Sequence, residues 1–179
     1  MYLRIVLIIL AFALAGCDAP NNAEMSTDSA QLAAQSQAEQ NKAIARQIFK
    51  LINERKLDEA FALYAEDYIY HGPGGQELRG REAIRGLWED WLTGFPDLQT
   101  TVDDMIAEGD KLAVRWRIEA THTGEFLGIV PTGVAIEVGI NEIFRVANGQ
   151  SAEAWDQYDG LGLMQQIGAI PIAEEESVQ

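Results

Sequence analysis

The chain has 179 residues, 47% of them hydrophobic and 23% charged, which is enough apolar material for one packed domain. Its formal net charge of -15 repels phosphate backbones, so nucleic acid is not an expected partner. The one cysteine, Cys17, excludes a disulfide framework.

The first predicted element is a targeting segment. One arginine, Arg4, precedes an apolar run from Ile5 to Ala15, which is short for a membrane span but suits a signal h-region. The run ends in Leu14-Ala15-Gly16-Cys17, which resembles the bacterial lipobox. The resemblance implies that residues 1–16 are a lipoprotein signal peptide and that Cys17 carries the lipid. A lone thiol in an exported protein is otherwise a liability. A plain signal peptide or a simple membrane anchor is the alternative, and either would also export the domain. The expected location is the cell envelope, on the periplasmic side of the inner or outer membrane, with the lipid on Cys17 as the membrane contact. Residues 17–38 are polar and rich in Ala, Ser, Gln and Asn and read as a flexible tether, with helix admitted at its end. Residues 39–172 are the expected domain and residues 173–179 an acidic tail.

Within the domain, Ile44, Ile48 and Ile52, with Ala45 and Phe49, recur at helical spacing. A short helix follows through Leu57, Ala60, Phe61 and Tyr64. The stretch from Asp67 to Gly80, DYIYHGPGGQELRG, begins as a strand and becomes a glycine-rich loop. A third helix aligns Ile84, Leu87, Trp88, Trp91 and Leu92, and GFPDL, residues 94–98, ends it. A strand from Leu98 to Ala107 meets the turn EGDK. Leu112, Val114, Trp116, Ile118 and Ala120 then alternate with exposed-type residues. A loop, THTGEFLGIVPTG, leads to a second alternating run from Val134 to Val146. Asn148-Gly149 turns into the last strand, and GLGLMQQIG closes the pattern as a short helix. Helices followed by an antiparallel meander predict an α+β fold, with helices on one face of a sheet.

Two ionisable residues interrupt the apolar parity: His122 after Ala120, and Glu142 between Ile140 and Phe144. An unpaired buried carboxylate is costly, so Glu142 is expected to be protonated, paired or facing a polar cavity. The segment SAEAWDQYDG, residues 151–160, can join it in two registers. A two-residue Asn-Gly turn sets Glu153, Trp155, Gln157 and Asp159 on the face of Glu142. A three-residue loop, Ala147 to Gly149, sets Ala152, Ala154, Asp156 and Tyr158 there instead. The second set is less polar and leaves room for a cavity, so it is favoured; Trp155 then faces outward as an interface candidate.

Four blocks, GFPDL, EGDKLAVRW, THTGEFLGIVPTG and AEAWDQYDGLGLMQQIG, resemble in order and spacing the SnoaL-like polyketide (ester) cyclase family of the NTF2-like superfamily. The resemblance covers about residues 40–170 and implies an NTF2-like cone: a curved antiparallel sheet enclosing a cavity, with N-terminal helices packed on its concave face. It implies a cofactor-independent acid/base enzyme, metal-free, acting on a small hydrophobic carbonyl compound. Asp156 falls on the acid/base position, Glu142 on a cavity position of the preceding strand, and His71 on a polar position after the first strand, where it could donate to an oxyanion. His122, Trp88, Trp116 and Tyr158 are the candidate substrate-binding residues, although His122 could instead hold its loop to the sheet. No His/Asp/Glu cluster has metal-ligand spacing, and no glycine-rich phosphate loop follows a strand. Two further readings stay open: a non-catalytic lipoprotein that binds a small molecule in the same cavity, and an interaction module that dimerises through the outer sheet face.

Overall fold

A computed structural model describes residues 22–171, so the signal segment, Cys17 and the acidic tail lie outside the described residues. The chain divides into two compact units between Ala33 and Ala34. The first helix, α1, spans Asn22–Asn53 and crosses that division. The tether expected over residues 17–38 is therefore helical from Asn22 onward. Alanines at 23, 30, 33, 34 and 38, among Gln, Met and Leu, favour helix strongly enough to extend α1. Among the described residues, no helix is long and apolar enough to cross a membrane.

The second unit continues with α2 (Leu57–Phe61), β1 (Tyr64–His71), β2 (Glu77–Arg79) and α3 (Arg81–Gly94). Then come β3 (Gln99–Glu108), β4 (Lys111–Thr121), β5 (Ala135–Ala147), β6 (Gln150–Tyr158) and α4 (Gly160–Gln166). The six strands form one curved open sheet in the order β2-β1-β6-β5-β4-β3. The mixed α+β architecture is the one expected, with one difference: β1 pairs with β6 in parallel. No hairpin joins these two strands. The chain between them runs through α3 and four further strands, so nothing local sets their relative direction.

The alternation read from sequence builds the core. Leu112, Val114, Trp116 and Ile118 of β4 and Ile136, Val138, Ile140 and Phe144 of β5 are buried on one face. The stripe of α1 packs over them: Ile48 and Ile52 are buried, and Phe49 meets Trp116 at 4.9 Å and Phe144 at 6.1 Å between ring centroids. Burying each such side chain contributes roughly 1.5–3 kcal/mol. Two asparagines fix the helix over the sheet. Asn41 donates to the Gly109 carbonyl at 3.0 Å. Asn53 donates to the Thr100 carbonyl and accepts from the Thr100 amide, both at 2.8 Å. On α3, Ile84, Trp88 and Trp91 make the buried stripe.

The loop after β4 is sealed to the end of α3 by two glycines. Thr123 and Gly124 amides donate to the Gly94 carbonyl at 3.1 and 2.9 Å. A Cβ on Gly124 would stand 1.8 Å from the Thr93 carbonyl oxygen, so this contact admits only glycine. The contact also seats Phe126 against Trp91 and Phe95, with centroids 5.0 Å from each. Gly124→Ala is expected to cost about 1–3 kcal/mol of stability by overpacking, measured by urea unfolding; an unchanged midpoint would contradict this close approach.

Candidate active site

The last hairpin decides what faces the cavity. Asn148 and Gly149 have φ of 52° and 75°, a two-residue turn that closes Ala147 against Gln150. That turn alone would bring Glu153 and Trp155 inward. Pairing instead steps from Val146–Ser151 to Arg145–Glu153, leaving Ala152 without an opposite residue. This bulge reverses the parity of β6 beyond it. Ser151 and Ala152 are both buried, and Ala154 and Asp156 follow on the inner face. Asp156 thus stands directly opposite Glu142. The face is the one expected from the three-residue loop, but a two-residue turn and a bulge produce it.

Asp156 and Glu142 form the acidic part of a cavity whose other walls are aromatic. β1 contributes Tyr64, Tyr68 and Tyr70, α3 contributes Trp88 and Trp91, and β4 contributes Trp116. The empty space amounts to about 510 Å³ with its mouth included, and thirteen of its fifteen lining residues are buried. The interior therefore accepts a compact group and not a large one. Of its lining residues, only Leu87 and Tyr158 are half-buried, and they mark the mouth.

The hydrogen bonds assign each carboxylate its holder. The Tyr70 hydroxyl donates to Asp156 Oδ2 at 2.8 Å, and Trp116 Nε1 donates to Glu142 Oε2 at 3.0 Å. Asp156 Oδ1 is buried and has no hydrogen-bond partner among the described residues. Burial lifts Asp156 from its ordinary value near 3.8 to about 6, against the donations from Tyr70 and the Gln157 amide. Burial first, and then the charge of Asp156, hold Glu142 well above the usual carboxylate range. Two carboxyl groups facing each other in so buried a space cannot both ionise readily, and they titrate as a pair. Glu142 keeps its proton and Asp156 loses its proton first. Burial also raises the Tyr70 and Tyr64 phenols, which stay neutral donors.

The remaining sequence-predicted residues divide. Trp88, Trp116 and Tyr158 line the cavity. His71 does not reach it. Successive side chains of a strand alternate faces, so Tyr70 pointing in sends His71 out. There it stacks on Trp155 at 5.3 Å, its Nε2 lies 2.9 Å from Glu153 Oε1, and Glu153 also accepts from Arg145. His122 is fully buried but lies outside the cavity. Its Nδ1 is 3.0 Å from Thr132 Oγ1, and its ring packs on Phe95 at 5.3 Å. Its amide and carbonyl bond to Val134 and Gly133, so it closes the 121–133 loop. Asp159 accepts from the Gly162 amide and caps α4.

Sequence reasoning missed Tyr70, although the signal was present. Tyr68 and Tyr70 share a parity that His71 breaks, and aligning that parity with Tyr64 would have pointed Tyr70 inward.

The family model for the SnoaL-like polyketide cyclase matches residues 42–167. Among solved structures, a putative hydroxylase, AclR from Streptomyces galilaeus, is 28% identical with a TM-score of 0.69, covering 77% of this chain and 87% of its own. A putative polyketide cyclase, IdmH from Streptomyces antibioticus, is 30% identical with a TM-score of 0.64, covering 72% of this chain and 98% of its own. A putative SnoaL-like polyketide cyclase from Jannaschia sp. CCS1 is 26% identical with a TM-score of 0.69, covering 75% and 95%. No protein of curated function matches the sequence.

The raised pKa of Asp156 has a consequence for stability. Between about pH 4 and 6 the folded state holds a proton that the unfolded chain releases, so this group destabilises the fold as pH rises through that window. Asp156→Asn removes the ionisation and keeps an acceptor for Tyr70. Its stability relative to wild type is expected to climb from near zero at about pH 4 to on the order of 3 kcal/mol at about pH 8, measured by denaturant unfolding across pH. A pH-independent difference would contradict the buried, raised carboxyl.

Proposed function

As the chain belongs to the SnoaL-like polyketide cyclase family, we propose that it is a cofactor-independent acid/base enzyme acting on a small hydrophobic carbonyl compound. One observation carries this reading: the buried Oδ1 of Asp156, without a hydrogen-bond partner among the described residues, directly opposite the buried Glu142 in an aromatic cavity. Asp156 is the base. It takes a proton alpha to a carbonyl, and the C–H pair moves into the enolate while Glu142 donates toward the developing oxyanion. In a ring closure the enolate carbon then attacks a second carbonyl, and the new alkoxide recovers its proton from Asp156. Tyr70 positions Asp156 by holding Oδ2, which leaves Oδ1 to react. Neither histidine has a part in this scheme.

The test is deuterium exchange at the alpha carbons of enolisable aromatic ketones and β-keto esters in D₂O, followed by NMR. The rate should rise with pH through about 6, as Asp156 ionises, and Asp156→Asn should lower it by about 10²–10⁴-fold. Ligand binding without exchange would favour the non-catalytic binding lipoprotein.

Lipid attachment and the envelope location belong to the same proposal and rest on the apolar run ending in Leu14-Ala15-Gly16-Cys17. Cys17→Ser should release the protein from the membrane fraction of the producing cell. Dimerisation through the outer sheet face is supported by Ile106 and Ile143, 71% and 43% exposed, which share a surface groove with Trp155. Trp155→Glu should then shift the sedimentation coefficient toward that of a monomer; an unchanged value would remove this face from assembly.

A further inference from the structure

The charge balance inside the cavity points to a second class of ligand. Glu142 and Asp156 are both buried, and among the described residues no Lys, Arg or His lines the space between them. Once ionised, Asp156 is therefore a carboxylate without a counterion. Buried charges in proteins are otherwise paired, because removing them from water is costly. Among the described residues, the side-chain donors that reach these carboxyls are neutral, the Tyr70 hydroxyl and the Trp116 indole. Asp156 Oδ1 accepts from no described residue.

What surrounds the pair is π surface. Trp88 and Trp116 stack with centroids 6.1 Å apart, and Phe49 lies 4.9 Å from Trp116. Tyr64 and Tyr68 meet edge to face at 4.9 Å. Aromatic faces attract a cation, most strongly when it is desolvated. A carboxylate supplies the full opposite charge. Anionic compounds, by contrast, would meet two acids and no positive group.

We infer that the cavity binds a compact organic cation, an amine or quaternary ammonium head group, seated between Asp156, Glu142 and the aromatic walls. The limited interior suits a small head group whose substituent leaves past Leu87 and Tyr158. The inference does not depend on the proton-transfer reading: a bound cation would occupy the place of a carbonyl compound and compete with it.

The titratable groups facing the site are Asp156 and Glu142 from the last two strands, Tyr64, Tyr68 and Tyr70 from β1, and Tyr158 at the mouth. Burial raises all four phenols, so between about pH 5 and 8 only the carboxyl pair changes charge. Cation binding should therefore strengthen as pH rises through the ionisation of Asp156.

The probes are choline and its neutral isostere 3,3-dimethylbutan-1-ol, titrated by tryptophan fluorescence and calorimetry at high salt to screen the acidic surface. At about pH 8, choline should bind with one-to-one stoichiometry and about tenfold or more tighter than the isostere. At about pH 5 that preference should shrink several-fold. Asp156→Asn should abolish it at both pH values. Equal affinities at pH 8, no choline binding, or a preference that survives both acid and Asp156→Asn would each overturn the inference. The wild-type pH comparison stands even if the variant does not fold. Because these are binding readouts, failure here leaves the deuterium-exchange result untouched, and the reverse also holds.

Discussion

One unpaired residue in β6 governs the site. Without the bulge at Ala152, the Asn148–Gly149 turn would carry Trp155 inward and Asp156 out to solvent. With it, two carboxyl groups face each other across neighbouring strands in an aromatic space. That arrangement opposes the usual preference for paired buried charges. It persists because the rest of the fold is fixed independently: α1 is held to the sheet through Asn41 and Asn53, and the sheet has an extensive apolar core.

The consequences follow from electrostatics in a buried space. Burial raises both groups, and their mutual proximity forces a division of roles. Glu142, which also meets the charge of its neighbour, retains its proton. Asp156, with a hydrogen bond from Tyr70 and another from the backbone, is the one that ionises near neutral pH. Environments that push two acids apart in this way distinguish a donor from a base. The indole of Trp116 and the phenol of Tyr70 each hold one carboxyl oxygen, which leaves Asp156 Oδ1 for a ligand.

Much of this was legible in the sequence, and the limits have physical causes. Period-two alternation showed that Glu142 lies on the inner face, because β4 and β5 are long and regular. The face of Asp156 could be chosen from the polarity of the two candidate sets, but the bulge that produces it leaves no local mark: Ala152 is small and unremarkable. The outward turn of His71 was missed because β1 is short and joins the main sheet through the long-range parallel pairing with β6, its local partner β2 being only three residues long. Ile69, an apolar residue on the outer face, blurred the parity there. His122 continues the buried parity of β4 one residue past the end of the strand. Sequence parity gives the face but not the position along it, and His122 lies past Ile118, against Phe95 and the loop it closes.

The central claim is that Asp156 is a desolvated carboxyl tuned toward neutral pH. The most direct test is carbon-detected NMR titration of its side-chain carboxyl in the folded domain, assigned by comparison with Asp156→Asn. A midpoint near 6 would support the account, together with a linked second titration for Glu142 well above it. A single midpoint near the ordinary aspartate value of about 3.9 would mean a solvated carboxylate and would contradict it.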